Sequence, residues 1–255
     1  MQRSPLQGFS ACIEMLFASE TADFAERVRL AGDAGFDTIE FWGCADKDIG
    51  RLATAAARAN IRIGGFLAEP IVALTDPANH AAFLDGLAQA RDTAARLGAS
   101  VLIVVAGDKR PGVPHADQRA AVVACLARAA DVLKNSGVVL ALEPINTGER
   151  KNGFLSSTLA GLDIVDAVGR AEVRLLYDMY HSAWMGESLP EVLAGRVDRL
   201  AHVHLADHPG RHEPGTGAIP WREGCAWLRA NGYAGRIGLE YLPSGATVDG
   251  LTFLG

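Results

Sequence analysis

Cysteine is scarce in this 255-residue chain: Cys12, Cys44, Cys125 and Cys225 stand far apart, and no two form a C-x-x-C pair. That spacing argues against a disulfide framework or a zinc knuckle and suits isolated, reduced thiols. Long apolar stretches are missing as well. The strand-like run Val101–Ala106 is far shorter than the roughly 20 residues a bilayer helix needs, so no membrane association is expected. The opening MQRSPLQGFSACIEMLF lacks the apolar core and small-residue cleavage pattern of a secretory signal. The expectation is a cytoplasmic chain. Positive charge is in deficit, with 24 Lys and Arg against 30 Asp and Glu for a net −6. This disfavours a nucleic-acid partner held mainly by electrostatics. No G-x-G-x-x-G or P-loop pattern follows the first apolar run, which continues Leu16-Phe17-Ala18-Ser19-Glu20. No linker, charge block or low-complexity segment divides the chain, so residues 1–255 are read as one domain.

What is present is an alternation. β-branched, apolar runs predict strands at Phe9–Met15, Asp37–Trp42, Ile61–Leu67, Ser100–Ala106, Val138–Glu143, Val173–Asp178, Leu200–Leu205 and Arg236–Tyr241. Alanine-rich segments between them predict helices at Thr21–Ala34 (with Ser19 and Thr21 as its start signal), Asp46–Ala59, Pro77–Leu97, His115–Asn135, Thr158–Val168, Leu189–Ala194 and Trp221–Ala230. Glycines such as Gly98, Gly137, Gly169 and Gly195 stand just past these helices, where a left-handed cap geometry is needed. Eight strand–helix repeats in about 250 residues have the count and length of an α/β (β/α)₈ TIM barrel.

In such a barrel, chemistry gathers where strands end and βα-loops begin. Four predicted strands end in Glu143, Asp178, His204 and Glu240. Ionisable groups are costly in a packed strand layer unless they are paired or hold a metal. Three carboxylates and one imidazole suit a divalent cation, Mn²⁺ or Mg²⁺ before Co²⁺ or Zn²⁺. His202 lies two residues before His204 on the same strand face and is read as a hydrogen-bonded core histidine one layer deeper. His181, three residues past Asp178, can reach a substrate. Glu149 shares a loop with Glu143, and Glu69 follows the third strand; both are candidate substrate contacts. Arg211 sits in the Pro/Gly-rich segment Pro209–Gly215 and can grip a carboxylate through two parallel bonds. Lys109 and Arg110 would add to a cationic cluster with it. Phe17, Trp42, Phe66 and Trp184 are read first as core packing and second as pocket walls.

The segments Leu142-Glu143-Pro144-Ile145-Asn146, Tyr177-Asp178-Met179-Tyr180-His181, Pro209-Gly210-Arg211-His212-Glu213-Pro214 and Gly238-Leu239-Glu240-Tyr241 resemble those of hydroxypyruvate isomerases. These belong to the xylose-isomerase-like TIM-barrel superfamily, which also holds ketose 3-epimerases and endonuclease IV. The resemblance implies Glu143, Asp178, His204 and Glu240 as metal ligands, with Glu143 and Glu240 doubling as the acid/base pair. It implies substrate contacts from His181, Arg211 and Glu149. The reaction implied is proton transfer in a small hydroxy-oxo acid through a metal-bound enediolate, interconverting hydroxypyruvate and tartronate semialdehyde. A ketose 3-epimerase of the tagatose/psicose type and a 3-oxo sugar-acid decarboxylase are the alternatives on the same scaffold. A homodimer or homotetramer is what related enzymes suggest. Endonuclease chemistry would call for extra histidines at the third and fourth strand ends, which here read Gly64-Gly65-Phe66-Leu67 and Val104-Val105-Ala106-Gly107.

Overall fold

A computed structural model describes residues 6–254. Eight strands run parallel in chain order and close β8 onto β1. They are β1 (Phe9–Cys12), β2 (Thr38–Phe41), β3 (Arg62–Leu67), β4 (Val101–Val105), β5 (Val139–Glu143), β6 (Val173–Asp178), β7 (Leu200–Leu205) and β8 (Ile237–Leu239). Outside them run α1 (Phe24–Asp33), α2 (Ile49–Ala59), α3 (His80–Leu97), α4 (His115–Leu133), α5 (Thr158–Val168), α6 (Met179–Trp184), α7 (Leu189–Leu193), α8 (Trp221–Ala230) and α9 (Thr247–Gly250). The expected TIM barrel is therefore present. Strand residues such as Leu102, Leu140, Leu142, Leu175, Val203 and Leu239 are fully buried. Helix faces such as Phe83, Leu84 and Leu87 of α3 and Val122, Cys125 and Leu126 of α4 cover the sheet. Apolar burial on both sides of a parallel sheet is the main stabilising term of such a fold.

Several boundaries differ from the sequence reading. β1 stops at Cys12, because the amides of Met15 and Leu16 turn back onto the Cys12 carbonyl at 3.2 and 2.9 Å. α1 starts from Asp23, whose carboxylate accepts from the amide of Ala25; Thr21 instead accepts from the Asp23 amide. α2 starts after Asp48, which accepts from Arg51, and not at Asp46. Pro77–Asn79 forms a 3₁₀ turn ahead of α3, with Asp76 as its cap. The short α6 has no counterpart in the sequence reading. It begins where Asp178 ends β6, and the same carboxylate caps it by accepting from the amides of Tyr180 and His181. The tail after Ser244 completes the last helical position through α9 and a 3₁₀ turn over Leu251–Leu254.

Candidate active site

The barrel's carboxyl-terminal rim gathers residues that lie far apart in sequence. Glu143 and Asp178 are the last residues of β5 and β6, His204 is the penultimate residue of β7, and Glu240 follows β8 directly. All four are buried, and one donor atom from each lies within 4.8 Å of the others. Nδ1 of His204 stands 3.5 Å from Glu143 Oε1 and 3.4 Å from Glu240 Oε2. Asp178 commits Oδ1 to the two amides of α6, which leaves Oδ2 uncommitted.

Two observations bear on whether a cation fits. Glu143 Oε1 and both His204 nitrogens are buried without a hydrogen-bond partner. Buried polar atoms of this kind are costly unless something satisfies them. Electrostatics agrees. Burial presses His204 toward the neutral imidazole, but Glu240, Glu40 and Glu143 outweigh it and raise its pKa well above the ordinary value. Burial pushes Glu240 up, yet His204, Arg211 and the Trp42 N–H together hold it well below the usual carboxylate range. The pocket thus draws positive charge, and its three-oxygen, one-nitrogen donor set suits a divalent ion.

His181 is buried beside the cluster. Asn146 accepts the amides of Gly148 and Glu149 through Oδ1, so its Nδ2 must donate to His181 Nδ1, 2.7 Å away. The proton of the neutral ring is then on Nε2, which lies 3.6 Å from Asp178 Oδ2. His181 therefore presents an N–H to the ligand side of the site.

Arg211 bridges two strand ends. Its guanidinium donates to Glu149 Oε2 at 2.7 Å and to Glu240 Oε2 at 2.5 Å, and it lies 5.2 Å from the Tyr180 ring centre. Its Nε–H is buried with no partner. The loop that carries it is built on Asp207, whose carboxylate accepts from the amides of His208, Gly215 and Ile219. Arg211 itself adopts a left-handed backbone (φ 56°).

Not every candidate meets the cluster. The Glu69 carboxylate accepts from the amides of Cys44 and Ala45 at 2.6 and 3.0 Å, which makes it an anchor of the β2–α2 loop. Arg110 pairs with Asp76 at 3.5 Å, and Lys109 is exposed on the loop after β4, so the expected cationic cluster reduces to Arg211. Phe17 and Phe66 are buried in the core, whereas Trp42 and Trp184 are about 40% exposed. Trp42 has a role the sequence reading missed: its Nε1 donates to Glu240 Oε1 at 2.8 Å. Asn146 was legible only as part of the Glu143–Asn146 motif, and Glu40 only as a polar residue near the end of the second strand.

A (β/α)₈ barrel with acid and imidazole side chains converging on its carboxyl-terminal rim defines an enzyme of the barrel class. The sequence matches the family described as xylose isomerase-like TIM barrel over residues 28–255. A hydroxypyruvate isomerase from Escherichia coli is 30% identical over 253 residues, covering 96% of this chain and 97% of that protein. Among solved structures, one described as an AP endonuclease, family 2, from Brucella melitensis superposes with a TM-score of 0.90 at 28% identity, covering 96% of each chain. A D-allulose 3-epimerase from a Methylomonas species in complex with D-allulose gives 0.77 at 25% identity, covering 92% of this chain and 84% of that one. The chain belongs to the xylose isomerase-like TIM-barrel family, and within it the chain is an isomerase.

Proposed function

We propose that this enzyme isomerises a small hydroxy-oxo acid of the hydroxypyruvate/tartronate semialdehyde type by moving a proton between adjacent carbons. The observation that carries the reading is the convergence of two buried glutamates, one ending β5 and one directly after β8, within 3.5 Å of His204 Nδ1. Glu143, Asp178, His204 and Glu240 would hold a divalent cation, which when bound supplies polarisation of the substrate carbonyl.

One glutamate removes a proton from the hydroxymethyl carbon next to the carbonyl. The C–H electron pair becomes the C=C bond of an enediol, and the former carbonyl oxygen takes up a proton. Return of a proton to the former carbonyl carbon, with loss of the other hydroxyl proton, gives the aldehyde. The free Nε–H of Arg211 offers a charge-assisted bond to the substrate carboxylate, and the Nε2–H of His181 offers a neutral donor to a substrate oxygen. His204 together with Arg211 also favours the ionised form of Glu240.

The test is exchange of solvent deuterium into hydroxypyruvate by Glu143→Gln and Glu240→Gln. Each variant should keep its far-UV spectrum and lose about 10²–10⁴-fold in exchange rate, the span of a removed general base. Near-wild-type exchange in both would sink the assignment.

A ketose 3-epimerase is the second reading, favoured by the similarity to the D-allulose 3-epimerase. There the proton leaves and returns on opposite faces of one carbon. Turnover of D-allulose exceeding that of hydroxypyruvate would select it. DNA cleavage of the kind named for the Brucella structure has less support: His204 is the one histidine among the four clustered ligands.

A further inference from the structure

One layer beneath the candidate ligands, the barrel interior holds charge where such barrels are ordinarily filled by branched apolar side chains. Glu40 of β2 and His202 of β7 are 2% and 7% exposed, and His202 Nε2 lies 2.7 Å from Glu40 Oε2. The other carboxylate oxygen is buried without a hydrogen-bond partner and stands 3.4 Å from Nε2 of His204. The rings of His202 and His204 meet edge to face, 5.0 Å apart.

Three departures from regular structure bring these groups together. The register of β2 against β3 shifts between Ile39 and Glu40. The register of β6 against β7 shifts between Leu175 and Leu176, so that Leu176 pairs with His202. Shifts of this sort re-aim side chains. On β8, between β7 and β1, stands Gly238; a methyl group there would collide with Glu40 Oε1 and come within 2.8 Å of His204 Cδ2. The strand gives up a side chain to let the carboxylate face the imidazole. A buried ion pair is weak evidence of stabilisation, since apolar residues of equal volume serve at least as well. The placement points to a task for Glu40 other than holding the core.

We propose that Glu40, itself held by His202, is a positioning residue for His204. Its Oε1 faces the Nε2–H of His204 and leaves the Nδ1 lone pair directed at Glu143, Glu240 and the cation they hold. A neutral imidazole has one donor and one acceptor nitrogen, so fixing the proton on one face fixes ligation on the other, and a carboxylate behind the ring strengthens the ligand. His202 secures the second oxygen, so the carboxylate cannot swing away from His204. This rests on reading Glu143, Asp178, His204 and Glu240 as a cation site.

The experiment is titration of the chelator-stripped full chain with Mn²⁺, following the magnetic resonance signal of the free ion, for wild type, Glu40→Gln and Glu40→Asp. Melting temperatures without metal are measured alongside. One Mn²⁺ per chain is expected for all three. Glu40→Gln should weaken binding 10- to 100-fold. Glu40→Asp, which keeps the charge but withdraws it from His204, should fall between. If Glu40→Gln does not fold, the aspartate variant decides alone: weakened binding supports the proposal and unaltered binding overturns it. Affinity of a folded Glu40→Gln within threefold of wild type overturns it while leaving the cation site intact. Two Mn²⁺ in wild type and one in Glu40→Gln also overturns it, because Glu40 would then be a ligand itself. If wild type takes up no Mn²⁺ at millimolar concentration, the cation-site reading falls and this inference falls with it.

Discussion

Arg211 shows how much a single side chain can organise. It ties the loop after β5, through Glu149, to the end of β8, through Glu240. Arg211→Met should lower kcat/KM for hydroxypyruvate by about 10- to 100-fold, the effect of losing a charged hydrogen bond of about 1.5–3 kcal/mol. Turnover of an uncharged ketose should fall less, and equal losses on both substrates would deny the guanidinium a role in carboxylate binding. The thiols give a second test at this scale. Burial, followed by the nearby Glu69 carboxylate, pushes Cys44 up to about 11. Burial pushes Cys225 to about 11 and Cys125 to about 12, while burial and the carboxylates of Glu240 and Glu40 raise Cys12 well above its usual value. At pH 8 a thiol with a pKa of about 11 is ionised to roughly one part in a thousand, and the thiolate is the reactive form. A thiol-specific disulfide reagent should therefore react slowly with the native protein at pH 8, faster as pH rises, and promptly with all four cysteines once it is unfolded. Prompt reaction of Cys12 or Cys125 in the native state would contradict their burial.

At the scale of elements, the strands were readable because each carries a β-branched apolar run bounded by turn residues, and β6 and β7 match their expected limits residue for residue. The convergence of Glu143, Asp178, His204 and Glu240 was readable for the same reason: each stands at a strand's carboxyl end, and the barrel topology does the rest. What escaped depends on contacts that no local pattern encodes. α6 is only six residues long, too short for helical periodicity to register. Glu69 carries the same charge as a substrate ligand would, and only the neighbouring amides of Cys44 and Ala45 reveal it as a loop anchor. Glu40 lies inside an ordinary strand pattern, and its partners are 162 and 164 residues away. Gly86 is a similar case. A glycine inside α3 costs the helix about 1 kcal/mol relative to alanine, yet a methyl group there would collide with the Glu69 carbonyl and Pro70. Gly86→Ala should therefore lower stability by about 1–3 kcal/mol despite the gain in helix propensity, measurable in urea unfolding. A stabilised variant would show that the turn yields easily.

Across the whole molecule, the rim cluster concentrates negative charge in a buried place. A cation that binds only the folded chain should stabilise it by mass action, by about 2.7 kcal/mol at 100 times its Kd. For a chain of this size that corresponds to roughly 5–10 °C in melting temperature. Mn²⁺ should raise the transition, EDTA should reverse the gain, and Asp178→Asn should reduce it. A melting curve indifferent to both additions would count against the site.

The closure of β8 onto β1 has a bearing on biogenesis. Glu240 emerges from the ribosome after Glu143, Asp178 and His204, and the strand just before it docks against the first strand made. A nascent chain cut short before residue 237 would therefore have an open seam and lack Glu240 of the proposed cation site. On the proposed cation site, metal capture would then have to wait for β8 and Glu240.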